Sequence, residues 1–293
     1  MIPKMLKNQL LTALVLLILC TPFASYAQLP EHVASLLEVD RTAAHLSKTE
    51  SPHKGLSYMI DKESSFFVPV KVNAKNYLDN RPNIPDVLSW KPYFALVSRS
   101  FDFGVTSGSI EFQRMGAIKR YGNYITIWKR DRKGRWKVNL RAEVENYGKQ
   151  ADRKMNYLEP DSAWYLKHRS KKRLGEREDI VLQTDQLYAT VLKADNQTAF
   201  TEFLAEDTYF YYPWAPAMHK KEEVISYFKK NRLEIITEPH DVGRAYSGEY
   251  AYTSGTASVH TPEKVIKFNY IRVWQVDQES YEWKVLLEML FER

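Results

Sequence analysis

The chain repeats itself, and self-similarity at a fixed offset constrains a fold more than any single motif, because each copy has to build the same elements in the same order. Phe103-Gly104-Val105-Thr106-Ser107-Gly108 precedes Asn123-Tyr124-Ile125-Thr126-Ile127-Trp128 and then Trp136-Lys137-Val138. Tyr250-Ala251-Tyr252-Thr253-Ser254-Gly255, Asn269-Tyr270-Ile271-Arg272-Val273-Trp274 and Trp283-Lys284-Val285 answer them at offsets of 147, 146 and 147 residues. Upstream, Pro92 matches Pro239, Phe67-Val68-Pro69 resembles Tyr211-Tyr212-Pro213, and Asp40 pairs with Asp185. These ordered matches predict a tandem duplication over about residues 30–146 and 179–293.

Each copy opens with helical spacing. Val181, Asp185, Tyr188 and Leu192 share one face, with Ile180, Thr184, Leu187 and Val191 on the adjoining stripe; Leu36, Leu37, Asp40, Ala43 and Ala44 form the counterpart. Further helices are predicted over Glu222 to Lys230 and over Ala74 to Asn80, the latter capped by Asn73. The stretches after Pro92 and after Pro239 are rich in Val, Ile, Tyr, Phe and Trp and read as strands, with turns at Asp131 to Gly134 and Asp277 to Ser280. Helices followed by antiparallel strands mean α+β. Between the copies, Glu159-Pro160-Asp161-Ser162 reads as the start of a linker helix running through Trp164, Tyr165 and Leu166 to near Gly175.

Residues 1–27 read as a signal peptide: Lys4 and Lys7 give a basic start, Leu10 to Leu19 an apolar run, and Ser25-Tyr26-Ala27 a cleavage site. That run is shorter than the roughly 20 residues of a membrane span, so no integral span is expected after cleavage. Cys20 is the only cysteine. The preceding Leu17-Ile18-Leu19 is too bulky for a lipidation signal, and the mature chain then has no thiol for catalysis, disulfides or zinc. An exported protein, periplasmic or secreted, is expected. Losing Lys4 and Lys7 lowers the formal charge from +6 to +4. The densest basic stretch, Lys167-His168-Arg169-Ser170-Lys171-Lys172-Arg173, reads as a solvated connector, and no nucleic-acid partner is expected.

Helices, a short strand pair ending in aromatic-x-Pro, another helix, and long strands closing with W-K-V resemble the nuclear transport factor two-like superfamily, and most nearly its SnoaL-like, ketosteroid-isomerase-like branch. The resemblance spans nearly all of the mature chain, twice. It implies an α+β fold of two tandem cone-shaped curved antiparallel sheets, each wrapped around its N-terminal helices, joined as a pseudo-dimer. The corresponding boundaries are a signal peptide at 1–27, a first cone domain at 28–148, a basic, partly helical linker at 149–178, and a second cone domain at 179–293. Members that dimerise through the outer sheet face imply a seam at Tyr124, Thr126 and Trp128 with Tyr270, Arg272 and Trp274, leaving Ile125, Ile127, Ile271 and Val273 to the core.

The resemblance also frames the site. Isomerases of this fold place an Asp before the proline that follows the first strand; here Val68 and Tyr212 stand there, and neither takes a proton. Alternation along the last strands predicts wholly apolar inner faces, Trp136, Val138, Leu140 and Ala142 in one copy and Trp283, Val285, Leu287, Met289 and Phe291 in the other, with Lys137, Asn139, Arg141 and Glu143 facing solvent. Asp40 and Asp185 are the candidate pocket acids, as ligand contacts or weak bases, or as salt-bridge partners of a sheet arginine such as Arg99 or Arg244. Tyr188 is a candidate donor or simply core. Tyr209 to Tyr212 with Trp214 offer a stacking surface or an interface patch. His240 and His260 lack metal-ligand spacing, and no metal, cofactor or catalytic residue is assigned. Two readings follow: a non-enzymatic module binding a hydrophobic or aromatic small molecule or a protein, or a lyase or isomerase of a hydrophobic carbonyl compound with Asp185 as base and Tyr188 as donor.

Overall fold

The computed structural model describes residues 29–80, 87–114, 116–160, 162, 164–167 and 170–293. Residues 1–27, expected to be a signal peptide, lie outside the described residues with Cys20 among them, as do His168 and Arg169 of the basic stretch. Glu31–Arg293 is one compact unit. Its first half runs α1 (Glu31–Thr49), α2 (Pro52–Met59), β1 (Ser65–Phe67), β2 (Lys71–Asn73), α3 (Ala74–Asn80), β3 (Val87–Val97), β4 (Phe103–Gln113), β5 (Arg120–Arg130), β6 (Trp136–Asn146) and β7 (Asn156–Leu158). The second half runs α4 (Lys171–Ala194), α5 (Asn196–Phe203), β8 (Leu204–Tyr211), β9 (Met218–His219), α6 (Lys221–Asn231), β10 (Glu234–Arg244), β11 (Tyr250–His260), β12 (Val265–Val276) and β13 (Trp283–Glu292). The fold is α+β with two separate curved sheets, each preceded by helices.

The sheets share one topology. Their orders are β2-β1-β6-β5-β4-β3-β7 and β10-β11-β12-β13-β8-β9, so β1 lies parallel to β6 as β8 lies parallel to β13, the four long strands of each sheet meet one another antiparallel, and the first sheet alone adds β7, parallel to β3. Local chemistry sets the ends of the helices. Asn73 accepts from the Asn76 amide at 3.0 Å, as the sequence predicts, and Ser51 and Asp195 cap α2 and α5 in the same way.

Two elements differ from expectation. The prolines do not precede their strands but sit inside β3 and β10, where the register shifts between Pro92 and Phe94 and between Pro239 and Asp241. A bulge is where a strand tolerates the missing N–H. Opposite each proline is a glycine of the repeat, Gly108 or Gly255, and a Cβ there would come within 2.0 Å of Lys91 O or 2.1 Å of Glu238 O. The linker helix is also absent from the described residues: Trp164 to Lys167 are irregular, and the helix starts at Lys171 and runs on through Gly175.

A second bulge inverts the expected faces of the last strands, β6 and β13. Ile127 pairs with Leu140 but Trp128 with Val138, so Asn139 is the extra residue; Val273 pairs with Leu287 and Trp274 with Val285, making Leu286 its equivalent. One inserted residue flips the alternation beyond it. Ile125, Ile127, Leu140, Ala142, Ile271, Val273, Leu287, Met289 and Phe291 meet between the sheets in one buried cluster. Tyr124, Trp128, Tyr270 and Trp274, expected at that seam, instead turn inward against their own helices: the Trp128 and Trp274 indoles each donate at 2.8 Å, to Thr106 and Thr253.

Polar contacts cross the apolar seam. Tyr93 and Ser107 both donate to the Tyr211 hydroxyl, at 3.0 and 2.9 Å, and Asn139 donates to Tyr252 at 3.0 Å. Ser100 and Ser247 are equivalent positions and contact each other reciprocally: each hydroxyl accepts the other's amide, at 2.9 and 3.1 Å, and the hydroxyls lie 2.7 Å apart. Such reciprocity is the mark of a two-fold contact. Leu287→Ala, which hollows the seam, should lower unfolding free energy by about 2–5 kcal/mol in urea titration. Melting of the two halves should stay cooperative in a Trp128→Phe variant, whose side chain stays within one cone.

Candidate functional site

The inward sheet faces place the predicted acids in the centres of the two halves. Asp185 on α4 is fully buried; it accepts from the Tyr270 hydroxyl at 2.8 Å and from the Arg272 guanidinium. Arg272 in turn donates at 2.9 Å to Glu288 on β13, also fully buried, and its guanidinium lies 4.3 Å from the Tyr188 ring centre and 4.2 Å from that of Tyr270. The sheet bulge makes this cluster, because it turns Glu288 inward from a strand whose inner face is otherwise apolar.

The charges constrain one another. Burial alone would lower the Arg272 guanidinium, but the Glu288 and Asp185 carboxylates outweigh it and hold it well above its ordinary value. Burial pushes Glu288 up despite Arg272, the expected outcome when two acids share one cation. Tyr188 is raised well above its ordinary value by burial and then by the Glu288 charge, and Tyr270 by burial and then by Asp185. The Tyr188 hydroxyl and the second Glu288 oxygen make no well-formed hydrogen bond.

The first half solves the same problem differently. Asp40 is fully buried and accepts from the Trp90 indole and the Tyr124 hydroxyl, both at 2.7 Å. Thr126 takes the place of Arg272 on the central strand and Arg141 that of Glu288 on the last, so the cation has moved across the strand pair. Arg141, expected at the solvent face, is 2% exposed and lies between the Trp90 and Tyr124 rings, 4.6 and 4.5 Å from their centres. Beside it is a cavity of about 70 Å³ walled by Leu56, Phe66, Tyr77 and Leu88.

The other candidates lie elsewhere. Arg99 and Arg244 do not meet either aspartate: Arg99 pairs with Glu249 at 3.5 Å, and Arg244 donates to the Gly248 and Arg177 carbonyls, with burial lowering it to about 10. Tyr212 is buried against Phe228 and Phe268, 6.0 and 5.7 Å between ring centres, and is core of the second half. Trp214 is partly exposed beside Tyr147, at 5.7 Å, with its amide donating to Glu145 O. No group of three or more His, Cys, Asp or Glu side chains among the described residues is arranged to hold a metal ion. Arg141 and Glu288 were missed as inward groups because strict alternation ignores the bulge, and Arg272 because its unbroken strand face, shared with Tyr270 and Trp274, was expected at the seam. A signal was present: aligned across the repeat, Thr126 stands against Arg272 and Arg141 against Glu288, a reciprocal change of charge at two positions that otherwise keep apolar neighbours.

No family model matches the chain, and no curated protein matches it. Solved structures do. An NTF2-like protein from Cytophaga hutchinsonii is similar at 19% identity over 39% of this chain and 97% of that one, with a TM-score of 0.33. An LEH-like epoxide hydrolase of M. tuberculosis is similar at 12% identity over 41% of this chain and 81% of its own, TM-score 0.31. A putative calcium/calmodulin dependent protein kinase II association domain from Xanthomonas campestris is similar at 12% over 44% and 96%, TM-score 0.33.

Removing one member of the buried triad leaves unpaired charge. Arg272→Met should cost about 3–5 kcal/mol in urea unfolding, and most of that loss should return when Asp185→Asn and Glu288→Gln are added. Additive losses across the three changes would show that the charges are not coupled.

Proposed function

We propose that the chain is an exported, non-catalytic binding protein built by duplication of one cone-shaped unit, taking a small, largely apolar molecule. The observation that carries this reading is the engagement of the interior acids. Asp185 gives its oxygens to Arg272 and Tyr270, and Asp40 gives its own to Trp90 and Tyr124. A general base needs a lone pair within reach of a substrate proton. Both aspartates are fully buried with each oxygen already engaged, and neither lines the first-half cavity. The export half of the reading rests on residues 1–27 alone.

Acid–base chemistry in the second half is the competing reading, favoured by one observation: Glu288 is a buried acid raised by desolvation, next to Tyr188. The experiment that separates the two has two readouts. Native mass spectrometry of the purified chain should reveal a retained small molecule, and the protein should not catalyse deuterium exchange into enolisable ketones. Exchange that disappears in Asp185→Asn or Glu288→Gln would replace the binding reading by the isomerase or lyase one.

A further inference from the structure

We infer that the first-half cavity takes the carboxylate end of a short aliphatic acid, with Arg141 as its anion-binding group. The inference rests on the binding reading above and adds the charge of the ligand.

A guanidinium carries five N–H donors and cannot shed its charge, so when it is buried its surroundings must supply acceptors. Arg141 has few. Its Nε donates to Glu143 at 3.1 Å and its Nη1 to Thr126 at 2.9 Å, while Nη2 is buried without an acceptor among the described residues. The one carboxylate it meets belongs to Glu143, whose side chain is 37% exposed. In the second half Arg272 also keeps one unpartnered nitrogen, Nε, but its charge is met by two fully buried carboxylates, Asp185 and Glu288. The nearest interior acid of the first half, Asp40, is turned to Trp90 and Tyr124 instead. The first half thus has a caged cation with one carboxylate fewer.

The space next to it fits the missing group. Arg141 and the Glu143 side chain it pairs with both line the cavity of about 70 Å³, Leu56, Phe66, Val68 and Leu88 are among its apolar walls, and it reaches the surface at the exposed Glu143. About 10–15 Å³ measured this way holds one water, so the space accepts a carboxylate and a few carbons. A charge-assisted pair with the buried Nη2, the nitrogen that Glu143 leaves unpartnered, selects for the anion over its neutral isostere, because an amide would leave the guanidinium less well paired.

The test is a ligand-observed NMR titration of the full chain with sodium butyrate and with butyramide at matched ionic strength, on the wild type, Arg141→Gln and Leu56→Trp. The wild type should bind butyrate at least tenfold more tightly than butyramide; Arg141→Gln should bring the two together, and Leu56→Trp, which fills the cavity and keeps the cation, should lose both. If Arg141→Gln does not fold, the wild-type preference and the Leu56→Trp loss carry the test. Equal binding of the two probes by the wild type overturns the anion inference and leaves the binding reading in place. Butyrate binding that survives Leu56→Trp, or no butyrate binding at all, overturns it too, whereas a retained molecule in native mass spectrometry is scored independently.

Discussion

A buried carboxylate on the first helix of each half, held by a tyrosine hydroxyl of the central strand, is the interaction on which the arrangement depends. Asp40 with Tyr124 and Asp185 with Tyr270 occupy the same place at nearly the same distance, 2.7 and 2.8 Å. A desolvated acid is costly unless its oxygens are filled, so this contact fixes both the height and the rotation of the helix against the sheet. The large aromatic side chains around it, Trp128 and Trp274 among them, can then pack in one way.

The two halves satisfy that requirement with different chemistry. The second uses an ion triad, Asp185–Arg272–Glu288, while the first uses neutral donors and sets its guanidinium one strand away between two rings. Identical topology therefore does not mean identical interiors. The triad closes the second centre upon itself, whereas the separated cation of the first borders a cavity.

The element order, the paired Asp40 and Asp185, the Asn73 cap and the α+β class were legible in the sequence, because they follow from repeat spacing and from local side-chain chemistry. The inward and outward faces were not. On the last strands they turn on single bulges at Asn139 and Leu286, and neither residue type announces one. The bulges hid Arg141 and Glu288, whereas Tyr124, Trp128, Tyr270, Arg272 and Trp274 lie on unbroken strands and were misplaced because the outward face was assigned by analogy with a dimer seam. The helix at Lys171–Ala194 was misjudged for another reason: its first turns are charged and mostly exposed, so they carry no apolar period to read.

The Ser100–Ser247 contact lies where the halves approach two-fold symmetry, yet one chain encodes both sides. In an assembly of identical subunits every substitution is imposed on each member at once, and a change that suits one centre must also suit the other. Covalent joining lifts that obligation: one lobe is free to become a rigid brace while its sibling specialises, and the shared interface continues to hold the pair together.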